Sequence, residues 1–145
     1  MVKKFLISAI IFAFSAPIWA KPTVELYRSE NCACCLRWSK IMTQQGFQVK
    51  DHLVDDMEQI KAQYHIPKAL ESCHTAIIDG YIFEGHVPTA DIHKLLKERP
   101  NDIRALAVKG MPAQAPGMGD PNQPPKDIQV MAIHSTGPAT LYHSY

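Results

Sequence analysis

Three cysteines crowd into four positions, Cys32-Ala33-Cys34-Cys35, and a fourth, Cys73, is followed directly by His74. The first cluster holds three pairings at once: Cys32 with Cys35 as a CxxC, Cys32 with Cys34, and the adjacent Cys34 and Cys35. Cys35, Trp38, Ile41 and Met42 recur at helical spacing and Gly46 is a good stop, so the cluster sits where a helix begins. Unpaired backbone N–H groups at a helix N-terminus carry partial positive charge and favour thiolate. Thiolate is the nucleophile of disulfide exchange and also the ligand of soft metals. One electrostatic cause opens two chemistries, and the cluster alone does not choose between them.

The plainer reading is a pair of structural disulfides. Three cysteines within four positions make poor staples, and a bridge between neighbours Cys34 and Cys35 strains the backbone. Four cysteines allow three pairings, which sequence does not separate. As metal ligands they select Cu(I) or Zn(II). Zinc prefers a tetrahedral four-ligand shell, which three of the cysteines plus His74 could supply. The adjacent Cys34–Cys35 pair is awkward for one ion and suits thiolates that bridge several Cu(I) ions, which tilts the choice from zinc toward copper. Met111 and Met118 lie on no periodic face and add soft thioethers, while Met42 and Met57 fall on apolar helix faces and read as core. His74 is the first nitrogen-ligand candidate, and His86, after a glycine at a strand end, is the second. His52, His65, His93, His134 and His143 read as surface or structural residues. Trp38 reads as core that shields the site from water.

The elements that must position these groups follow from periodicity. Val24–Arg28 and Phe47–Val54 alternate as strands do. Asp56 reads as a helix N-cap with Gln59 in the reciprocal position, and Met57, Ile60 and Tyr64 as the buried stripe. Asp55-Asp56 is therefore capping rather than a catalytic carboxylate pair. Thr75–Ile78 and Tyr81–Glu84 flank Asp79-Gly80, a favoured hairpin turn. Ile92, Leu95 and Leu96 mark a third helix that Pro100 ends. Residues 110–125 hold five prolines and three glycines in sixteen positions, which excludes a regular helix and reads as a surface loop. Ile128–Ile133 and Thr140–Tyr145 read as two final strands joined through Gly137-Pro138. The order implies an α/β domain with a mixed sheet.

Residues 1–20 have the layout of a secretory signal peptide: Lys3 and Lys4, an apolar run from Phe5 to Phe14 broken only by Ser8, then Pro17 and Ala20. The run falls short of the about 20 residues that span a bilayer. Residues 21–145 are then a single mature domain outside the cytoplasm, most naturally in a bacterial periplasm, with no membrane contact after cleavage. In that compartment thiols can oxidise. The full chain of 145 residues is 46% hydrophobic and 20% charged, which fits a folded domain. Lys plus Arg number 15 against 14 Asp plus Glu, so no basic excess drives nucleic-acid binding. No phosphate-binding glycine loop, nucleophile elbow or HExxH is present.

Taken in order, the CACC after Tyr27-Arg28-Ser29, Ser72-Cys73-His74-Thr75-Ala76, Asp79-Gly80-Tyr81, Glu84-Gly85-His86-Val87-Pro88, and Gly110-Met111-Pro112 through Pro116-Gly117-Met118 resemble the periplasmic copper-resistance family CopG. The resemblance covers almost all of the mature chain. It implies a thioredoxin-like mixed sheet flanked by helices, here with a Pro/Gly-rich loop and a C-terminal β-hairpin extension. It also implies that Cys73-His74 lies opposite Cys32–Cys35. Thioredoxin-like proteins usually carry a cis-proline at that place; residues 72–75 have none, which argues against an ordinary disulfide reductase.

The expectation is a copper-binding protein of copper resistance. Cys32, Cys34, Cys35 and Cys73 are expected to hold Cu(I) as a multinuclear thiolate site, and His74, Met111, Met118 and His86 to complete or gate it. A coupling of Cu(II)/Cu(I) chemistry to cysteine oxidation extends this reading, and a periplasmic copper donor or acceptor protein is the implied partner. The alternative is a metal-free thiol–disulfide oxidoreductase in which Cys32 attacks and Cys35 resolves.

Overall fold

A computed structural model describes residues 20–145; the expected signal peptide, but for Ala20, lies outside the described residues. Seven strands and three helices follow in the order β1 (Thr23–Arg28), α1 (Ala33–Gln44), β2 (Gln48–Leu53), α2 (Met57–Gln63), β3 (Thr75–Ile78), β4 (Tyr81–Glu84), α3 (Thr89–Glu98), β5 (Ile103–Val108), β6 (Gln129–His134) and β7 (Thr140–Ser144). They form one mixed sheet in the order β2-β1-β3-β4-β5-β6-β7. β1 runs parallel to β2 and antiparallel to β3, and β4 runs parallel to β5. The expected mixed α/β sheet, its helices and the closing β6–β7 hairpin are all present.

Alternation along the strands separates two cores. Val24 and Leu26 of β1, with Leu106 and Val108 of β5, face Trp38 and Met42 of α1 and Ile92 and Leu95 of α3. Ala105 and Ala107, the intervening residues of β5, face the opposite side, where Ile66, Tyr64 and Leu70 pack after α2. The sheet is thus covered on both faces. β5 was not anticipated. Its residues Ile-Arg-Ala-Leu-Ala-Val are buried on both faces from Ala105 onward, so no polar alternation marks a strand, and Ala and Leu favour helix equally well.

Two expectations need correction. The stripe of Met57, Ile60 and Tyr64 is only half-buried, and the buried residue of α2 is Lys61. Asp56 does cap the helix, accepting from the backbone N–H groups of Glu58 and Gln59. The segment 110–125, read as a surface loop, has no regular structure but is not peripheral. Ala115 is buried in the main core, and Gly117 lies so close to α1 that a Cβ there would come within 2.8 Å of the Trp38 backbone nitrogen. The segment is a strap across the first turns of α1.

Lys61 is buried because Glu84 is. The two form an ion pair at 2.6 Å with side chains 6% and 0% exposed. Glu84 also accepts from the Thr75 hydroxyl at 2.6 Å and from the Ser72 backbone N–H at 2.7 Å. A buried ion pair contributes little against an apolar replacement, but removing one partner strands the other charge. Lys61→Met is therefore expected to lower the unfolding free energy by about 3–5 kcal/mol in urea titrations. A loss below about 1 kcal/mol would show that Glu84 does not depend on this partner.

Candidate metal centre

β1 delivers the chain to the cysteine cluster, and Arg28, the last residue of β1, fixes how it arrives. Its guanidinium pairs with Asp51 on β2, at 2.8 Å from Nε to Oδ1, and donates to the carbonyls of Ser29 and Glu30 at 3.1 and 3.0 Å. Cys32 is the N-cap of α1, and Cys34 and Cys35 lie in its first turn. Cys35 is buried, whereas Cys32 and Cys34 are half-buried. A disulfide joins Cys32 and Cys35, leaving Cys34 and Cys73 as free thiols.

Cys73 comes from the loop before β3. Glu84 holds that loop through the Ser72 N–H, and the Ser72 hydroxyl donates to the carbonyl of Gly110. Gly85 lets the two segments meet: its φ is +72°, and a Cβ there would collide with the Ser72 side chain. The outcome is that Cys34 Sγ lies 3.5 Å from Cys32 Sγ and 3.8 Å from Cys73 Sγ. The four cysteine sulfurs all fall within 4.8 Å of one another. Residues almost forty positions apart in sequence thus line one pocket.

Two histidines adjoin Cys73. His86 Nε2 is 3.0 Å from Cys73 Sγ, and His74 Nδ1 is 3.4 Å from it. His86 Nδ1 donates to the Pro116 carbonyl of the strap at 2.7 Å, which turns a bare Nε2 toward the sulfur. The His74 ring sits 4.7 Å from the Trp38 ring and 4.9 Å from that of His86, centroid to centroid. Trp38 is itself fixed by a 3.1 Å hydrogen bond from Nε1 to the Val87 carbonyl. His74 Nε2 is buried without a hydrogen-bond partner.

Burial governs the protonation of this pocket. It holds the His74 imidazole well below its ordinary pKa, with the nearby His86 and Lys61 charges acting in the same direction. It lowers His86 too, against the Pro116 carbonyl. Burial, then the neighbouring Cys34, pushes the Cys73 thiol up to about 12. Burial therefore favours neutral imidazoles and a protonated Cys73 until a cation binds. A cation supplies the positive charge that a thiolate there lacks, and binding releases the proton. Two free thiols and two neutral imidazoles fit a metal ion of soft or borderline character.

Of the expected site residues, the structure gathers Cys32, Cys34, Cys35, Cys73, His74 and His86. Met118 packs against the main core, and Met111 is 58% exposed beside Gly110. The remaining histidines serve elsewhere; His143, for one, bonds the buried Asp91 at 2.8 Å. Ser72, Glu84 and Pro116 went unread as positioning residues. Nothing local marks their role, because each acts through a partner 12 to 38 positions away.

A family described as "Protein of unknown function, DUF411" matches residues 70–118, which span the Cys73 loop, both histidines and most of the strap. Two solved structures of a copper resistance protein CopG, Form 2 and Form 1, are each 37% identical to this chain with a TM-score of 0.79. The match covers 87% of this chain and 99% and 98% of theirs. No protein with a curated description matches.

The thiol inventory is directly measurable. Folded protein that has met no reductant is expected to present two titratable thiols to a disulfide reagent after denaturation, and four after full reduction. Peptide mapping should then find Cys32 linked to Cys35; a Cys34–Cys73 link as the resting form would contradict this structure.

Proposed function

The chain belongs to the CopG family of copper-resistance proteins, and from that premise we propose that it is a periplasmic copper-binding protein holding Cu(I) on Cys32, Cys34, Cys35 and Cys73. The observation that carries the reading is the 3.8 Å approach of Cys73 Sγ to Cys34 Sγ. It turns a local motif into a four-sulfur pocket. Thiolates at this spacing bridge neighbouring Cu(I) ions, so the proposed site is multinuclear. His74 and His86 complete it, and exposed Met111 and strap-borne Met118 add thioether ligands. The strand order from β1 to β4, with α1 and α3 on one face, supports the thioredoxin-like reading. The signal-peptide layout of residues 1–20 supports the periplasmic one; among the described residues no helix is long and apolar enough to cross a membrane.

The disulfide supports a redox extension. Oxidising Cys32 and Cys35 to their disulfide releases two electrons and two protons. Two Cu(II) ions accept those electrons and become two Cu(I). A thiol reductant returns the cysteines to the dithiol. In this account copper is cargo, and the protein passes it to or takes it from a periplasmic carrier.

A second reading rests on the same disulfide at the entrance to α1. Cys32 is half-exposed and Cys35 buried, as an attacking and a resolving cysteine require. It predicts metal-free reduction of an insulin-type disulfide. No turnover with intact exchangeable thiols would remove it.

The copper reading is tested by loading reduced, tag-free protein anaerobically with Cu(I) and counting bound metal. The parent is expected to hold more than one ion per chain, and Cys73→Ser fewer ions with at least about tenfold weaker retention against a chelator. A Cys73→Ser variant that holds as much copper as tightly as the parent would contradict the site.

A further inference from the structure

The Cys32–Cys35 disulfide takes two sulfurs out of the pocket but leaves a different donor set untouched. The ligand atoms of Cys73, His74 and His86 all lie within 4.8 Å of one another. A tetrahedral ion with a metal–sulfur bond of about 2.3 Å and metal–nitrogen bonds of about 2.0–2.1 Å holds sulfur and nitrogen roughly 3.5 Å apart. The observed separations from Cys73 Sγ, 3.4 Å to His74 Nδ1 and 3.0 Å to His86 Nε2, lie close to that spacing. The His86 ring is already oriented by Pro116, and both rings are buried. Cys34 touches Cys73 but stands outside the group of three.

We propose that Cys73, His74 and His86 form a binding site for a single borderline divalent cation, and that this site works while the Cys32–Cys35 disulfide is intact. One thiolate with two imidazoles is a mixed set that suits Zn(II), Co(II) or Cu(II), in contrast to the sulfur-rich set that suits Cu(I). Binding replaces the Cys73 S–H bond with a sulfur–metal bond and sends the proton to solvent; no electron moves. The redox state of the CxxC pair then decides which ion the pocket takes. The oxidised protein offers the three-residue site to a divalent ion, and the reduced protein offers four sulfurs to Cu(I). For its biological use this inference rests on the copper reading above, but the binding itself does not.

The test is a Co(II) titration of tag-free protein that has met no reductant, with the disulfide verified by thiol count. Co(II) is used because it does not oxidise thiols. One equivalent is expected to bind, with a sulfur-to-cobalt charge-transfer band and tetrahedral ligand-field absorption, and Zn(II) should displace it. Cys34→Ser should keep both features. Cys73→Ser should abolish the charge-transfer band, and His86→Gln should weaken binding by roughly 10–100-fold with an unchanged far-ultraviolet circular dichroism spectrum. Co(II) binding that appears only after reduction would overturn the proposal, as would a spectrum indifferent to both Cys73→Ser and His86→Gln. Either failure leaves Cu(I) loading of the reduced protein intact, and a failure of Cu(I) loading leaves this titration intact.

Discussion

A single buried carboxylate holds the pocket together. Glu84 lies at the end of β4 with its side chain shut away from water, and its oxygens meet Lys61 from α2, the hydroxyl of Thr75 and the backbone N–H of Ser72. Those contacts join an element on one face of the sheet to the loop that carries Cys73. An acceptor buried this deeply must find donors, and the donors it finds are the ones that set the loop's path. Ser72 then ties the loop to Gly110, and Gly85 leaves room for the contact. Cys73 reaches the first turn of α1 because polar groups that have nothing to do with metal are satisfied only when it does.

The second constraint is the absence of charge. The pocket lowers the imidazoles and raises the Cys73 thiol for one reason, burial, so its donors are neutral until a cation arrives. Buried imidazole lone pairs give up little water when a cation binds, and the cost of forming thiolate is met by the ion's own charge. The Pro/Gly strap contributes to both effects. Through Gly117 it seals α1, with the Arg37 guanidinium donating to the Gly117 carbonyl at 2.7 Å, and through Pro116 it aims His86.

Sequence made the local parts legible and left the long-range ones dark. The strands around Val24, Thr75 and Tyr81, the Asp79-Gly80 turn and the Asp56 cap are written in nearest-neighbour patterns. The turn residues adopt φ of +50° and +84°, as such a hairpin needs. β5 was unreadable because burial on both faces erases alternation. The burial of Lys61 is not legible in the sequence, because a lysine on a helix is ordinarily a solvated residue and only its partner on β4 makes burial tolerable. The strap was read from composition as peripheral, since proline and glycine report what a segment cannot form rather than what it packs against. The nearness of Cys73 to the cluster came from the family resemblance, not from periodicity.

The claim at the centre of this account is that one pocket, assembled from α1 and the loop before β3, holds copper mainly through sulfur. X-ray absorption at the copper edge of the reduced, Cu(I)-loaded protein tests it most directly. The account predicts a first shell dominated by sulfur, with a short copper–copper scattering path from bridging thiolates. A shell of nitrogen and oxygen alone, or isolated two-sulfur copper with no copper neighbour, would contradict it.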